Sequence, residues 1–206
     1  MLAEQKPRLD RDSRREAILD VARDVFLEEG FAAASMSTIA ARLGGSKATL
    51  YNYFKSKEEI FEAYVARHCA WQSETMFALL TDEEEVREAL TALGRRLLET
   101  TLSDFALSNY RLIIAEAERS PQIGRIFYET GPLAGTRRLA AFLERAVARG
   151  ELNLRDPMLA AHQFIGLLQN PWSKARQCNY VPAPSAAEIA VHVDAAVETF
   201  LAAFGA

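Results

Sequence analysis

Apolar residues recur along this chain every three or four positions, in runs separated by glycine, proline and Ser/Thr/Asp caps. That spacing predicts helices. Ile39, Ala40 and Leu43 share one face of a short helix opened by Ser37, whose hydroxyl can accept an unpaired backbone N–H, and Gly44-Gly45 ends it. Ser46 opens the next helix, in which Leu50 and Phe54 face inward and Lys47, Ala48, Thr49, Tyr51, Asn52 and Tyr53 face outward. Ser56-Lys-Glu-Glu59 reads as a capping box ahead of a long helix that carries Ile60, Ala63, Tyr64, Cys69 and Trp71 and ends near Leu80. Thr81-Asp-Glu-Glu84 reads as a second box, which assigns the acidic run Asp82 to Glu85 to a helix first turn and not to a metal. Further helices are expected over 83–102, 104–119, 122–149, 157–170 and 186–204, punctuated by Ser120-Pro121, Gly150, Asp156-Pro157 and Ser185-Ala-Ala-Glu188. No alternating run or Asn-Gly turn marks a strand, so the expected class is all-α.

The two short helices around Gly44-Gly45 carry the most specific chemistry. A glycine turn turns the second helix steeply away from the first, as in a helix-turn-helix. The outward set then suits a DNA major groove: Asn bonds adenine twice, Thr contacts phosphate or a thymine methyl, and Lys reaches guanine or phosphate. Charge locates the same function. The chain is net −4, yet residues 1–55 hold nine Lys and Arg against eight Asp and Glu, which leaves the excess of acid to the remainder. Lys6, Arg8, Arg11, Arg14 and Arg15, interleaved with Glu4, Asp10 and Asp12, form either an arm for phosphate or minor-groove contact or a solvated tail.

At 206 residues, half of them apolar, the chain can bury a sizeable core as one large or two small domains. The absence of an apolar span or signal core leads us to expect a cytoplasmic protein without membrane contact. Cys69 and Cys178 lack metal or redox spacing and are expected to be reduced. His68, His162 and His192 lie on separate expected helices, and no catalytic elbow, P-loop or His-Glu-x-x-His run occurs. We therefore expect no enzyme activity, no metal and no cofactor. On the last helix Ile189, Val193, Ala196 and Phe200 form a stripe that Val197, Leu201 and Phe204 widen beyond one packing face. The preceding helix, with Ala160, Ala161, Phe164, Leu167 and Leu168, is similarly apolar. Either a partner covers part of this surface, or a monomer buries its terminal helix completely.

Leu50-Tyr-Asn-Tyr-Phe-Lys-Ser-Lys57 resembles the motif Leu-Tyr-x-Tyr/His-Phe-x-Ser/Asn-Lys of TetR-family transcriptional regulators, and Arg14, Arg15, Ala17, Ile18, Ala22, Phe26, Gly30 and Phe31 stand in that family's usual order. Gly45 departs from it, standing where an apolar residue such as Val is common. The resemblance implies an N-terminal three-helix helix-turn-helix DNA-binding domain over 13–56, preceded by an arm over 1–12, and a C-terminal helical-bundle regulatory and dimerisation domain over 57–206. It implies DNA contacts from Ser37, Thr38, Ser46, Lys47, Ala48, Thr49, Tyr51, Asn52 and Tyr53, with Lys57 on phosphate. Tyr110 to Arg119, Phe127-Tyr128, Ala148 to Asn153 and Asp156-Pro157 resemble the AcrR-like and AefR-like branch, whose members often respond to small apolar or aromatic compounds. His68, Trp71, Met76, Phe105, Tyr110, Ile114, Phe127, Tyr128, Phe164, Gln169 and Trp172 are the candidate lining of such a pocket. The last two helices would pair with their copies through Phe164, Leu168, Ile189, Val193, Val197 and Phe200. The expected function is thus a homodimeric repressor on a palindromic operator in double-stranded DNA, released by a small-molecule effector. A constitutive DNA-binding protein without effector and a helical ligand- or partner-binding module are the alternatives.

Overall fold

The computed structural model describes residues 11–81 and 85–206; residues 1–10, which hold most of the expected arm, and 82–84, which hold most of the second expected capping box, lie outside the described residues. The described chain forms eleven α-helices and no strand. The first four are α1 (Arg11–Ala33), α2 (Met36–Arg42), α3 (Lys47–Tyr51) and α4 (Lys57–Phe77). They are followed by α5 (Val86–Thr101), α6 (Asp104–Ala117), α7 (Pro121–Thr130), α8 (Pro132–Ala148), α9 (Pro157–Gln169), α10 (Trp172–Gln177) and α11 (Ala186–Phe204). The chain is all-α, with a helix-turn-helix at its N-terminal end and a helical bundle behind it.

Several boundaries differ from the sequence expectation for identifiable reasons. α2 is capped by Ser35, whose Oγ accepts the Thr38 N–H at 3.1 Å, so Ser37 lies inside the helix. The Ser56 box is half formed: Ser56 Oγ accepts from the Glu59 N–H, but the Glu59 carboxylate reaches one residue further back, to the Lys55 N–H at 2.6 Å. The reciprocal box is complete at Ser185 and Glu188. The segment 122–149 is two helices, because Pro132 lacks an N–H and disfavours helical backbone at the residue before it, Gly131. α10, at six residues, is too short to show a period in the sequence.

Two hydrophobic cores organise the molecule. In the first, α1 contributes Ile18, Leu19, Ala22, Val25 and Phe26 to a cluster with Ile39, Leu50 and Phe54 of the helix-turn-helix and Ile60, Phe61, Tyr64 and Val65 of α4. This cluster continues into the bundle through Ile113 of α6 and Ile123 of α7. The second gathers Leu90, Leu93 and Leu97 of α5, Leu139, Phe142 and Leu143 of α8, Phe164 and Leu168 of α9, and Val193 and Phe200 of α11. Close approach is required here at Gly94, where a Cβ would lie 2.8 Å from a Val193 methyl and 3.0 Å from one of Leu168. α4 joins the cores, with its first turns in one and Met76 in the other.

The apolar stripe of the last helices faces inward. Phe164, Leu168, Ile189, Val193, Val197 and Phe200, which the sequence reading gave to a partner, are at most 5% exposed within one chain. α5 and α8 cover them, and Phe164 packs edge-on against Phe200 at a centroid distance of 5.2 Å. The outer side of α9 and α11 carries Leu159 and Val191, 53% and 72% exposed, with the small residues Ala195, Thr199, Ala202 and Ala203. A groove between the two helices is lined by Gly166, Leu167, Thr199, Ala203 and Phe204.

Candidate nucleic-acid interface and effector cavity

The helix-turn-helix is set by backbone chemistry that its sequence makes readable. Leu43 ends α2, Gly44 takes φ +70°, and the Gly44 and Gly45 N–H groups bond the Ala41 and Ala40 carbonyls, each at 3.1 Å. This is a Schellman turn, which requires the left-handed backbone that glycine adopts without a Cβ penalty. Gly45 has ordinary φ, and the space beside it is taken by the Arg14 guanidinium, 3.3 Å from where its Cβ would stand. Both helices open in the same way: Ser35 and Ser46 each accept the N–H of the Thr three residues on and exchange a 3.0 Å hydrogen bond with that threonine's hydroxyl. Thr38, Ser46 and Thr49 are therefore engaged in caps.

Leu50 and Phe54 are buried, as their spacing predicted, and Lys47, Ala48, Tyr51 and Asn52 are exposed. Tyr51 keeps 49% of its surface in solvent, whereas Tyr53 is half-buried against the head core. Arg15 lies over the Phe54 ring at 5.0 Å, which ties the start of α1 to the end of the reading element. Four of the acidic residues of α1 are ion-paired: Asp24 with Arg23, Glu28 with Arg42, and Glu16 and Asp20 with Arg67.

Lys57 is held within the protein. Its ammonium donates to the carbonyls of Phe31, Ala32 and Ala34 at 2.7, 3.2 and 3.0 Å and lies 4.5 Å from the centroid of the Phe31 ring. All three N–H donors of a lysine are thereby used. Through Lys57 the start of α4 holds the carbonyl end of α1.

Behind the head, α4, α6, α7 and α10 line a partly open cavity of about 440 Å³. Of the expected lining, His68, Tyr110, Ile114, Phe127, Tyr128 and Gln169 meet there. A second chamber of about 160 Å³ adjoins it and contains Met76; Gln72, Thr101, Phe127, Pro132 and Gln169 line both. Four expected residues lie elsewhere. Trp71 and Phe105 line an outer cleft with Glu16, Arg23 and Arg67, Phe164 is in the bundle core, and Trp172 packs edge-on against His192 with centroids 4.9 Å apart. Periodicity marks a residue as inward-facing but not which interior it faces.

Beyond His68 and Gln169, the polar residues around the cavity were not legible in sequence. Tyr64 donates its phenolic proton to Asn109, whose side-chain N–H₂ donates to the Phe105 carbonyl at 2.8 Å. Burial pushes the Tyr64 hydroxyl far above the ordinary phenol range, so it stays a donor. His68 stacks on Tyr64, and burial, aided by the positive charges of Arg67 and Arg23, lowers it to about 4; it is neutral at neutral pH. Cys69, on the inner chamber, is raised by burial to about 11 and is a thiol, not a thiolate. The half-buried Arg111 bonds the Arg176 and Gln177 carbonyls, and the buried Arg176 bonds those of Leu102 and Val181, so two arginines fix α10 as a cavity wall.

Comparison with known proteins agrees with this anatomy. The family model described as bacterial regulatory proteins, tetR family, matches residues 18–64, and that described as AefR-like transcriptional repressor, C-terminal domain, matches residues 88–206. The crystal structure of a TetR-family transcriptional regulator from Mesorhizobium loti superposes with a TM-score of 0.89 at 31% identity, over 96% of this chain and 100% of that one. The flavonoid-responsive regulator FrrA superposes with a TM-score of 0.80 at 34% identity, over 93% of this chain and 97% of that one. Among curated relatives, the HTH-type transcriptional regulator UidR of Escherichia coli K12 is 27% identical over 68% of this chain and 69% of its own. The HTH-type transcriptional activator FasR of Mycolicibacterium smegmatis is 48% identical over 61 residues, 30% of this chain and 28% of its own length. The chain belongs to the TetR family of DNA-binding transcriptional regulators.

Proposed function

We propose that this protein is a homodimeric repressor that binds a palindromic operator and is released by a small, largely apolar or aromatic effector. In this reading residues 13–56 read DNA and residues 57–206 sense the effector and dimerise. The observation that carries it is the position of α4. One helix lines the cavity with His68 and Gln72, bonds the cavity residue Asn109 through Tyr64, and packs Ile60 and Phe61 into the head core. Arg67 fastens the same helix to Glu16 and Asp20 of α1 at 2.6 and 2.7 Å. A ligand between α4 and α6 therefore acts on the element from which the head is hung. It shifts operator affinity only by binding the two head spacings with different affinity. The description of the C-terminal family model as repressor and the naming of FrrA as flavonoid-responsive support the direction of regulation and the effector class.

Dimerisation places two recognition helices for half-sites about 34–36 Å apart, since one short helix contacts too few bases alone. The surface assigned to it is the outer side of α9 and α11, through Leu159, Gly166, Val191, Ala195 and Thr199, opposite to the face the apolar stripe indicated. DNA contacts are assigned to Lys47, Ala48, Thr49, Tyr51 and Asn52, with Ser37, Thr38, Ser46 and Tyr53 at the margins. Selection of duplex sites from a random pool, followed by anisotropy across a salt series, tests the reading: a palindromic site bound by a dimer is expected. Salt-sensitive binding without a preferred sequence would replace it with a constitutive DNA-coating role.

A further inference from the structure

We propose that Arg14 is a phosphate-contacting residue of the DNA interface, seated beside the recognition helix in a slot that Gly45 leaves open. The inference rests on the DNA-binding reading above and adds to it a residue from outside the helix-turn-helix. α1 turns Ile18, Ala22 and Phe26 into the head core, and Arg14, one helical turn before Ile18, stands on the same face. A guanidinium at that position has to find a place at the margin of an apolar cluster.

Gly45 supplies the place. Its φ is ordinary, unlike that of Gly44, so backbone conformation does not call for glycine at this position. What the missing side chain provides is room: a Cβ at Gly45 would stand 3.3 Å from Nη2 of Arg14, and a larger side chain would have to displace the guanidinium. A large residue on α1 thus meets the smallest one on the turn between α2 and α3.

Charge indicates what the seated arginine meets. Arg23 and Arg67 are half-buried and each pairs with a carboxylate, at 2.8 and 2.6 Å. Arg14 is half-buried as well, yet among the described residues it has no ion pair and no hydrogen bond. A guanidinium held partly out of water without a counter-charge lacks the acceptors it is built to engage. It lies against the residue that precedes Ser46, the N-cap of α3, and Lys47 and Ala48 beyond that cap are exposed. A duplex docked on α3 brings phosphates to this margin, and arginine takes a phosphate through two parallel N–H groups. Such a contact fixes the register of the recognition helix on the duplex and carries no sequence information.

The test uses the full-length chain and two labelled duplexes of about 30 base pairs, one carrying the site selected from a random pool and one of mixed sequence, titrated by anisotropy between about 50 and 200 mM salt. Arg14→Gln is expected to weaken both duplexes alike and to lower the salt slope by about one for each chain bound, whereas Arg14→Lys, which keeps the charge, holds the slope. Gly45→Val is expected to reproduce the Arg14→Gln slope by displacing the guanidinium, and to add nothing further when made in the Arg14→Gln chain. If Gly45→Val does not fold, Gly45→Ala takes its place. An unchanged slope in Arg14→Gln overturns the phosphate contact, and a Gly45 substitution that costs as much in the Arg14→Gln chain as in the parent overturns the slot. Failure of the parent to bind either duplex would defeat the DNA-binding reading itself, whereas parent binding that Arg14→Gln leaves intact confines the failure to Arg14.

Discussion

The recognition element and the paired helices α9 and α11 are both short-period helical structures, yet one presented its faces openly in sequence and the other reversed them. In α3 the inward positions, Leu50 and Phe54, are bulky and apolar and the outward ones include Lys47, Thr49 and Asn52, so a single pattern separates core from surface. In α9 and α11 both faces are apolar or small. Phe164, Val193 and Phe200 point inward, while Leu159, Val191 and Ala195 point out. A helix with two burial-competent faces does not announce which neighbour comes first, because the nearest large partner, here α5 and α8, takes the larger side chains and leaves the smaller ones for closer contacts.

The sharpest test of that contrast sets the two faces of one helix pair against each other. Phe164→Ala is expected to destabilise the chain by about 3–5 kcal/mol, seen in denaturant unfolding, because it opens a cavity in a closed core. Thr199→Arg, on the outer face, is expected to change unfolding by no more than about 0.5 kcal/mol while light scattering shows a monomer. If Thr199→Arg remains dimeric, the outer face is not the interface.

At the head, Lys57→Met is expected to lower stability by about 2 kcal/mol, since it strips a charged donor from the carbonyl end of α1. The salt dependence of operator binding should not change. A salt slope reduced by about one would return Lys57 to the phosphate backbone. Asn52→Ala is expected to cost about 1–3 kcal/mol at one base position, and Lys47→Ala to weaken all sites alike with a slope lower by about one, both read from competition on mutated operators. If neither changes binding, the exposed face of α3 is not the reading face.

A smaller effect separates the cavity from the head. His68 is held neutral in the folded chain at about 4, whereas an unfolded chain protonates near 6.5. Between those values the unfolded state binds more protons, so this contribution to stability is complete above pH 6.5 and is lost as pH falls toward 4. His68→Phe should flatten that part of the melting-temperature profile, with operator contacts untouched; an unchanged profile would mean that His68 does not titrate in a buried site. Gly44→Ala should cost about 1 kcal/mol through its left-handed backbone.

By itself the sequence determined the helical class, the reading element, its glycine turn and most of the helix ends. These depend on neighbours within one turn: a cap three residues from its N–H, an apolar residue four from the next, a glycine where φ must be positive. It also marked six of the residues that meet in the outer cavity, because aromatic side chains on inward faces are conspicuous. The tertiary structure decided what lies between distant segments. It gave Lys57 to carbonyls more than twenty positions back, turned the stripe of α11 onto α5, and divided Trp71 and Phe105 from the cavity. Those outcomes follow from which surfaces compete for one another once the helices pack. A local period specifies that a face must be buried and leaves its partner to the fold.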